Sequence, residues 1–226
     1  MDIQIPDVGE DAAGTAPRVR RLGRTDYRDT WSAMQAFTDA RNAGTCDELW
    51  LTEHTPVYTL GLAGRAVHLH PSAAGGSIDI VHSDRGGQVT YHGPGQVVMY
   101  VLLDLRRRHL GVRQLVRLLE QAVIDCLAES GVAALGRDDA PGVYVGAEKV
   151  AALGLKVRRG ASYHGLALNV EMDLSPFAAI DPCGFPGLAV TQTRLLGIER
   201  TADELAGRLA ELFITRLQAH FPIVPE

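Results

Sequence analysis

Apolar positions along the chain recur in two rhythms. Three segments repeat them every three or four residues, the spacing of one helical face. Asp26 to Ala43 carries Tyr27, Trp31, Met34 and Phe37, and Gly44 follows as a stop. Val112 to Ser130 carries Val112, Val116, Leu119, Val123 and Leu127, with Gly131 after it. Thr201 to Phe221 opens on Thr201 with Glu204 three residues on, a reciprocal capping pattern, and continues through Leu205, Leu209, Phe213 and Leu217. Between the helices lie runs with strand character: Glu48 to Glu53, Val57 to Leu60, Ile78 to Ser83, Gln96 to Leu105, Gly142 to Val145, Lys149 to Arg158 and Ser162 to Glu171. Gln96 to Leu105 is almost continuously apolar, which predicts a central strand covered on both faces. The later runs are short and separated by turns, which favours antiparallel pairing. Strands outnumber helices and do not alternate with them regularly. The predicted class is therefore α+β rather than a doubly wound sheet.

Composition fits this picture. The chain has 226 residues, 46% of them hydrophobic and 22% charged, enough for one sizeable core. The formal net charge of -5 argues against free nucleic acid as a bulk partner and leaves room for a local basic patch. Arg106, Arg107 and Arg108, or Arg158 and Arg159, are candidates for such a patch, and equally for solvated strand ends. No apolar run approaches the roughly 20 residues of a membrane span. Met1 to Pro17 is acidic, small and polar, without the basic-then-apolar order of a secretion signal. It reads as a short disordered tail ahead of a catalytic domain over 18–226.

The three cysteines, Cys46, Cys126 and Cys183, are odd in number and none forms a C-x-x-C pair. Neither a disulfide framework nor a structural zinc site is expected, and the expected compartment is the reducing cytoplasm. His54, His68, His70 and His82 show no metal-ligand spacing, so no metal and no cofactor are expected. His68 and His70, next to Pro71, read as a loop. Cys126 falls inside a helix, beside its apolar face, as a small core residue would. Cys46 sits beside Asp47, which disfavours a thiolate. Cys183 lies in Asp181-Pro182-Cys183-Gly184-Phe185-Pro186-Gly187, a rigid turn able to present a side chain.

The run from Arg85 to Gln96 reads Arg-Gly-Gly-Gln-Val-Thr-Tyr-His-Gly-Pro-Gly-Gln. Its glycines let a backbone approach a ligand closely. Arg85 has the fork to fix a carboxylate or phosphate, and His92 offers a donor or acceptor that switches near neutral pH. From chemistry alone an ordinary hairpin loop is an equal reading. The run is not a Walker phosphate loop, since the Lys-Ser/Thr ending is absent. It is not a dinucleotide fingerprint either, because the glycine spacing differs and no helix follows.

The whole string resembles the signature R-G-G-x-x-T-x-H-x-P-G-Q of the lipoyl(octanoyl) transferases, also called the lipoate-protein ligase B family, with every fixed position present. Lys149-Val150-Ala151-Ala152-Leu153-Gly154 is similar to that family's K-[IV]-A-[AS]-[IL]-G segment. His164 to Asn169 resembles its H-G-[FL]-A-L-N strand, and Pro182-Cys183-Gly184 its P-C-G turn.

The resemblance implies a single α+β domain with a mixed sheet and packed helices, related to the catalytic domains of biotin and lipoate ligases. It implies transfer of an octanoyl group from octanoyl-acyl carrier protein to a lysine of lipoyl domains, on 2-oxoacid dehydrogenase E2 subunits and the glycine cleavage H protein. The enzyme would act as a monomer, through a thioester on Cys183 with Lys149 as its partner. Substrate-binding positions carry over to Arg85, Gly86, Gly87, Gln88, Val89, Thr90, Tyr91 and His92, to Ala152, Leu153 and Gly154, and to Gly165, Leu166 and Ala167. His164 is expected to shape the acyl pocket.

The chemistry is coherent in itself. A thiol with a pKa of about 8.5 is drawn toward neutrality by an adjacent ammonium. An acceptor lysine, with a pKa of about 10.4, needs a base before it can attack. Taken without the resemblance, Lys149 reads as an exposed strand lysine. Three other readings stay open at this point: an ATP-using ligase on the same fold, a non-catalytic module that binds carrier or lipoyl domains, and a thiol hydrolase using Cys183 and a histidine.

Overall fold

The structure is a computed structural model that describes residues 16–221, apart from the side chains of Ala74 and Cys183. The tail expected over 1–17 therefore lies outside the described residues except for its last two. In chain order the elements are β1 (Arg18–Thr25), α1 (Tyr27–Ala40), β2 (Glu48–His54), β3 (Val57–Leu60), α2 (Pro71–Ala74), β4 (Asp79–His82), β5 (Val89–His92) and β6 (Gln96–Leu102). They continue with α3 (Val112–Ala128), β7 (Leu135–Gly136), β8 (Gly142–Val145), β9 (Glu148–Arg158), β10 (Ala161–Asn169) and α4 (Ala202–His220).

The strands form a seven-stranded sheet in the order β1-β2-β6-β10-β9-β8-β7 and a three-stranded sheet in the order β4-β3-β5. Both are mixed, since β1 runs parallel to β2 and β3 parallel to β4. From β2 through β6, β10, β9 and β8 to β7 every pairing is antiparallel. The α+β expectation holds, with a second, smaller sheet added to the one sheet foreseen.

β6 is buried along its whole length. Its Val97, Met99 and Val101 join Leu115, Leu119, Leu205 and Leu209 under α3 and α4. Its Val98, Tyr100 and Leu102 join Met34 and Phe37 of α1 on the other face. A strand packed on both sides has no use for alternating polarity, and this explains its continuous apolar run.

The helix ends follow local chemistry. The Asp26 carboxylate accepts from the Arg28 and Asp29 amides at the start of α1, at 2.7 and 3.3 Å. Thr201 and Glu204 cap each other at the start of α4. In α3 the buried stripe is Leu115, Leu118, Leu119, Ala122, Val123, Cys126 and Leu127. Val112, expected on that face, is exposed, so the stripe is rotated from the anticipated one.

Three strands were not anticipated: β1, β5 and the two-residue β7. β1 is an edge strand rich in arginine, and its Arg20 pairs with the buried Glu48. Charges on an edge deter further pairing and also hide the strand's apolar signal. β5 lies inside the glycine-rich segment and pairs antiparallel with β3.

Candidate active site

The segment after β4 is pinned between two neighbours. Gly61, Leu62 and Ala63 donate their amides to the carbonyls of Gln88, Arg85 and Gly87. On the other side the Gly86 amide donates to the Leu155 carbonyl of β9 at 2.9 Å. Gly154 lets this approach happen, because a Cβ there would stand 2.8 Å from the Gly86 carbonyl oxygen. A cavity of about 480 Å3, its mouth included, runs between this segment and the sheet.

The cavity brings together most of the positions marked in the sequence. Arg85, Gly87, Gln88, Val89, Thr90 and His92 form one wall, and Ala152, Leu153, Gly154, Gly165, Leu166 and Ala167 form another. Gly86 and Tyr91 do not line it. Gly86 is turned toward β9, and the Tyr91 ring packs between Tyr58 and Phe177, on the far side of β5. Tyr27, Val98, Tyr100 and His164 complete the lining. Of these His164 was expected. The other three read as core residues in the sequence, because their helical and strand periodicity is that of any buried face.

Arg85 is not free to clasp a ligand carboxylate. Its Nε and Nη2 donate to the Thr59 hydroxyl, Nη2 also to the carbonyls of Thr59 and Gln88, and Nη1 to the Gly86 carbonyl. These bonds hold the segment's shape and keep the guanidinium buried. His92 does not switch near neutrality either. Burial, with His54 and Arg85 nearby, lowers its pKa to about 3. Gln96 spends its amide nitrogen on Asn169 and the Tyr91 carbonyl, so its oxygen accepts from Nδ1–H of a neutral His92, at 2.8 Å. Asn169 in turn donates to the Thr191 carbonyl at 2.9 Å. One buried chain of bonds thus joins the glycine-rich segment to β10 and to the stretch beyond Cys183.

That stretch reaches Lys149. The Lys149 amide donates to the Ala189 carbonyl and the Thr191 amide to the Lys149 carbonyl, each at 2.9 Å. Lys149 is 3% exposed, so it is not a surface strand lysine. Its Nζ donates to the Pro141 carbonyl at 3.0 Å and stands 5.3 Å from the centre of the Tyr144 ring. Glu120 of α3 steadies the turn that offers this carbonyl, accepting from the Gly142 amide at 2.9 Å.

Cys183 lies in a single 3-10 turn, Pro182–Gly184. The turn is braced from one side by Asp181, whose carboxylate meets His70 at 3.0 Å and His68 at 3.4 Å. The Asp181 amide donates to the His68 carbonyl at 3.0 Å. The hydrogen bonds from His70 and His68 hold the Asp181 carboxyl below its usual pKa. The histidines read as loop residues do lie in a loop, and there they anchor the cysteine turn. The spacing of His68, His70 and Asp181 gives no hint of this. On its other side the turn touches Gln88, whose carboxamide lies against Gly184. The Gln88 Oε1 is buried and finds no hydrogen-bond partner among the described residues.

Asp84, overlooked in the sequence, organises the opposite wall. It accepts from Trp31 and His164 at 2.8 Å each, and from the Tyr163 hydroxyl. Partial burial works to raise its pKa, but these bonds outweigh that and hold the carboxyl well below the usual range. His164 adopts φ +62°, a left-handed backbone unusual for a side chain of its size. The Asp84 bond fixes its ring at the cavity wall. Cys126 behaves as foreseen, fully buried with a pKa pushed up to about 11 by burial.

Among the described residues no group of three or more His, Cys, Asp or Glu is arranged to hold a metal ion. Among them, too, no helix is long and apolar enough to cross a membrane.

Comparison with known proteins gives concordant results. The family model described as the lipoyl protein ligase A/B catalytic domain matches residues 26–214. An octanoyltransferase of Thiobacillus denitrificans is 61% identical over 207 residues, 92% of this chain and 93% of that protein. A lipoate-protein ligase A crystallised with ATP superposes with a TM-score of 0.75 at 18% identity, covering 90% of this chain and 86% of that one. The biotin protein ligase of Aquifex aeolicus, solved with biotin and ATP, superposes with a TM-score of 0.55 at 13% identity, covering 89% and 70%. At such identities the two structures show a shared fold and nothing finer.

Proposed function

This chain belongs to the lipoyl protein ligase A/B catalytic-domain family, and from that premise we propose that it moves an octanoyl group from octanoyl-acyl carrier protein to a lysine of a lipoyl domain through a thioester on Cys183. Octanoyl transfer itself rests on the high identity to octanoyltransferases over most of the chain. The observation that carries the finer reading is the meeting of slot and turn at Gln88. Gln88 lines the cavity and its carboxamide lies against Gly184, the residue after Cys183 in the 3-10 turn.

The reaction divides into two exchanges. The Cys183 thiolate attacks the carrier thioester carbonyl, a new C–S bond forms, and the carrier thiolate leaves with the proton of the Lys149 ammonium, which becomes a neutral amine. The neutral amine of the acceptor lysine then attacks the same carbonyl, an amide C–N bond forms, and Cys183 is released. Lys149 favours the thiolate in the first exchange and takes the amine proton in the second. The bond from Nζ to the Pro141 carbonyl, and Glu120 behind that turn, hold the ammonium in place. The first exchange replaces one thioester by another, so no ATP is consumed.

Intact-protein mass spectrometry after mixing with octanoyl-carrier, without ATP, tests this reading. An octanoyl adduct is expected in the native chain and absent as a thioester in Cys183→Ser. An adduct that survives in Cys183→Ser and disappears only in Cys46 or Cys126 variants removes the assignment. A strict ATP requirement moves the chain to the ligases. Release of free octanoate as the main product makes it a hydrolase.

A further inference from the structure

We propose that Tyr27 and Tyr100 form the closed end of the slot and set the longest acyl chain it accepts, an inference that rests on the slot being the acyl site. The sheet beneath the slot presents two cross-strand rows. In one, Ala152 of β9 is opposite Ala167 of β10, which is opposite Val98 of β6. In the other, Gly154 is opposite Gly165, which is opposite Tyr100. In both rows the side chain grows from a hydrogen or a methyl on β9 and β10 to a bulky group on β6. Space is therefore open above Ala152 and Ala167, with the Gly86 carbonyl crossing over Gly154 beside it, and it closes at β6, where Tyr27 of α1 also lines the cavity.

The dimensions agree with an eight-carbon chain. Two strand spacings separate β9 from β6, about 10 Å. Seven single bonds in a zigzag of ordinary length and angle reach about 9 Å. The end at Gln88 adjoins the cysteine turn through Gly184. An acyl carbonyl held there directs the terminal methyl at the two tyrosine rings.

The closed end is tethered from behind. The Tyr27 hydroxyl pairs with the Ser83 hydroxyl at 2.7 Å, and the Tyr100 hydroxyl with His54 Nε2 at 2.6 Å. The Tyr27 ring stacks on His92 with centroids 5.9 Å apart, and the His54 edge meets it at 5.3 Å. A longer chain would have to move a ring and break a buried hydrogen bond, which a wall of methionine would not demand. The selection is consequently one-sided. A shorter chain only forgoes burial, at about fourfold in affinity per methylene. A longer chain meets the rings.

The test uses the full chain and hexanoyl, octanoyl, decanoyl and dodecanoyl carriers, with adduct formation followed by intact-protein mass spectrometry and folding verified by circular dichroism. The native enzyme should acylate from the decanoyl carrier at least tenfold more slowly than from the octanoyl one. Tyr27→Ala should bring the two within about threefold of each other. Val98→Leu, which fills the slot from the neighbouring row, should lower octanoyl relative to hexanoyl, and it carries the test if Tyr27→Ala fails to fold. The inference is overturned if the native enzyme takes decanoyl and dodecanoyl as fast as octanoyl. It is also overturned if both variants form adducts with an unchanged chain-length profile. Absence of any adduct in the native chain would instead bring down the acyl-enzyme reading, and this inference with it.

Discussion

The carboxamide of Gln88 occupies the space that a side chain at position 184 would need. A Cβ added to Gly184 would lie 2.2 Å from Gln88 Oε1 and 2.3 Å from its Nε2. Gly184 also has φ +76°, so a side chain there must push the flexible Gln88 carboxamide aside and hold a left-handed backbone as well. Gly184→Ala should displace the cysteine turn and slow octanoyl adduct formation at least tenfold. Adding Gln88→Ala should recover part of that loss by clearing the space. The left-handed backbone still costs about 1–2 kcal/mol. Single-turnover mass shifts in the two variants measure both effects, and a single variant as fast as the native chain refutes the coupling.

The brace on the other side of the turn gives a second prediction. Asp181 is held by His68 and His70, and its own amide is bonded to the His68 carbonyl. Asp181→Ala removes the side-chain half of that brace and leaves the fold's core untouched. Misplacement of a reacting group by about 1 Å can cost roughly a hundredfold in rate. The adduct rate should fall between about tenfold and that limit while the urea midpoint stays close to the native one. A fall in the midpoint that accounts for the lost activity would make Asp181 a stability residue instead.

Much of this site was legible through the resemblance to the family's motifs, and the structure shows what those residues touch. The small residues at 152, 154, 165 and 167 appear as short, apolar, strand-like runs because two strands must lie flat beneath a slot. The glycines of 86 and 87 mark the segment that crosses it. What the chain did not reveal are long-range pairings. Asp84 is one acidic residue beside an arginine, and only folding brings Trp31, Tyr163 and His164 onto it. Tyr27 and Tyr100 are spaced as core residues, and they are core residues, which happen to face a cavity on one side. Arg85 and His92 were misjudged for one reason. Their chemistry was read as if solvated, whereas burial commits the arginine to carbonyls and keeps the histidine neutral.

The buried imidazoles give the protein a distinctive response to acid. Burial lowers the pKa of His54 to about 4 and that of His92 to about 3. In the unfolded chain both rings titrate at about 6.5. Between those limits the unfolded state binds more protons, so stability falls as pH falls, by up to about 1.4 kcal/mol per pH unit for each ring. The loss should begin near pH 6.5, above the range in which carboxylates titrate. Asp84 is lowered instead of raised, so its contribution is intact above the ordinary carboxylate pKa and disappears only at still lower pH. Urea midpoints at intervals from pH 7.5 to 4.5 measure the slope. A flat profile down to pH 5 would mean that the rings are protonated in the folded state.

The arginines at 106–108 behave differently from the expected docking patch. Asp47 is 2% exposed and Arg108 1%. The Asp47 carboxylate receives Arg41, Arg107 at 2.9 Å and Arg108 at 2.7 Å, together with the Asp104 amide at 2.8 Å. The cluster ties the end of α1, the start of β2 and the segment after β6 to one another, and Arg108 also reaches the Phe221 carbonyl. Two of the three arginines are therefore spent inside the fold, and only Arg106 faces solvent. Removing one partner of a buried ion pair leaves the other charge desolvated, which typically costs about 3–5 kcal/mol. Asp47→Ala should accordingly lower the unfolding free energy by about that amount. Where the variant remains folded, its Michaelis constant for the carrier should match the native value, because the cluster offers no cationic surface to lose. Charge reversal at Arg159, which is exposed, should raise that constant without moving the urea midpoint. An increase for Asp47→Ala and none for Arg159→Glu would return the carrier contact to the 106–108 segment.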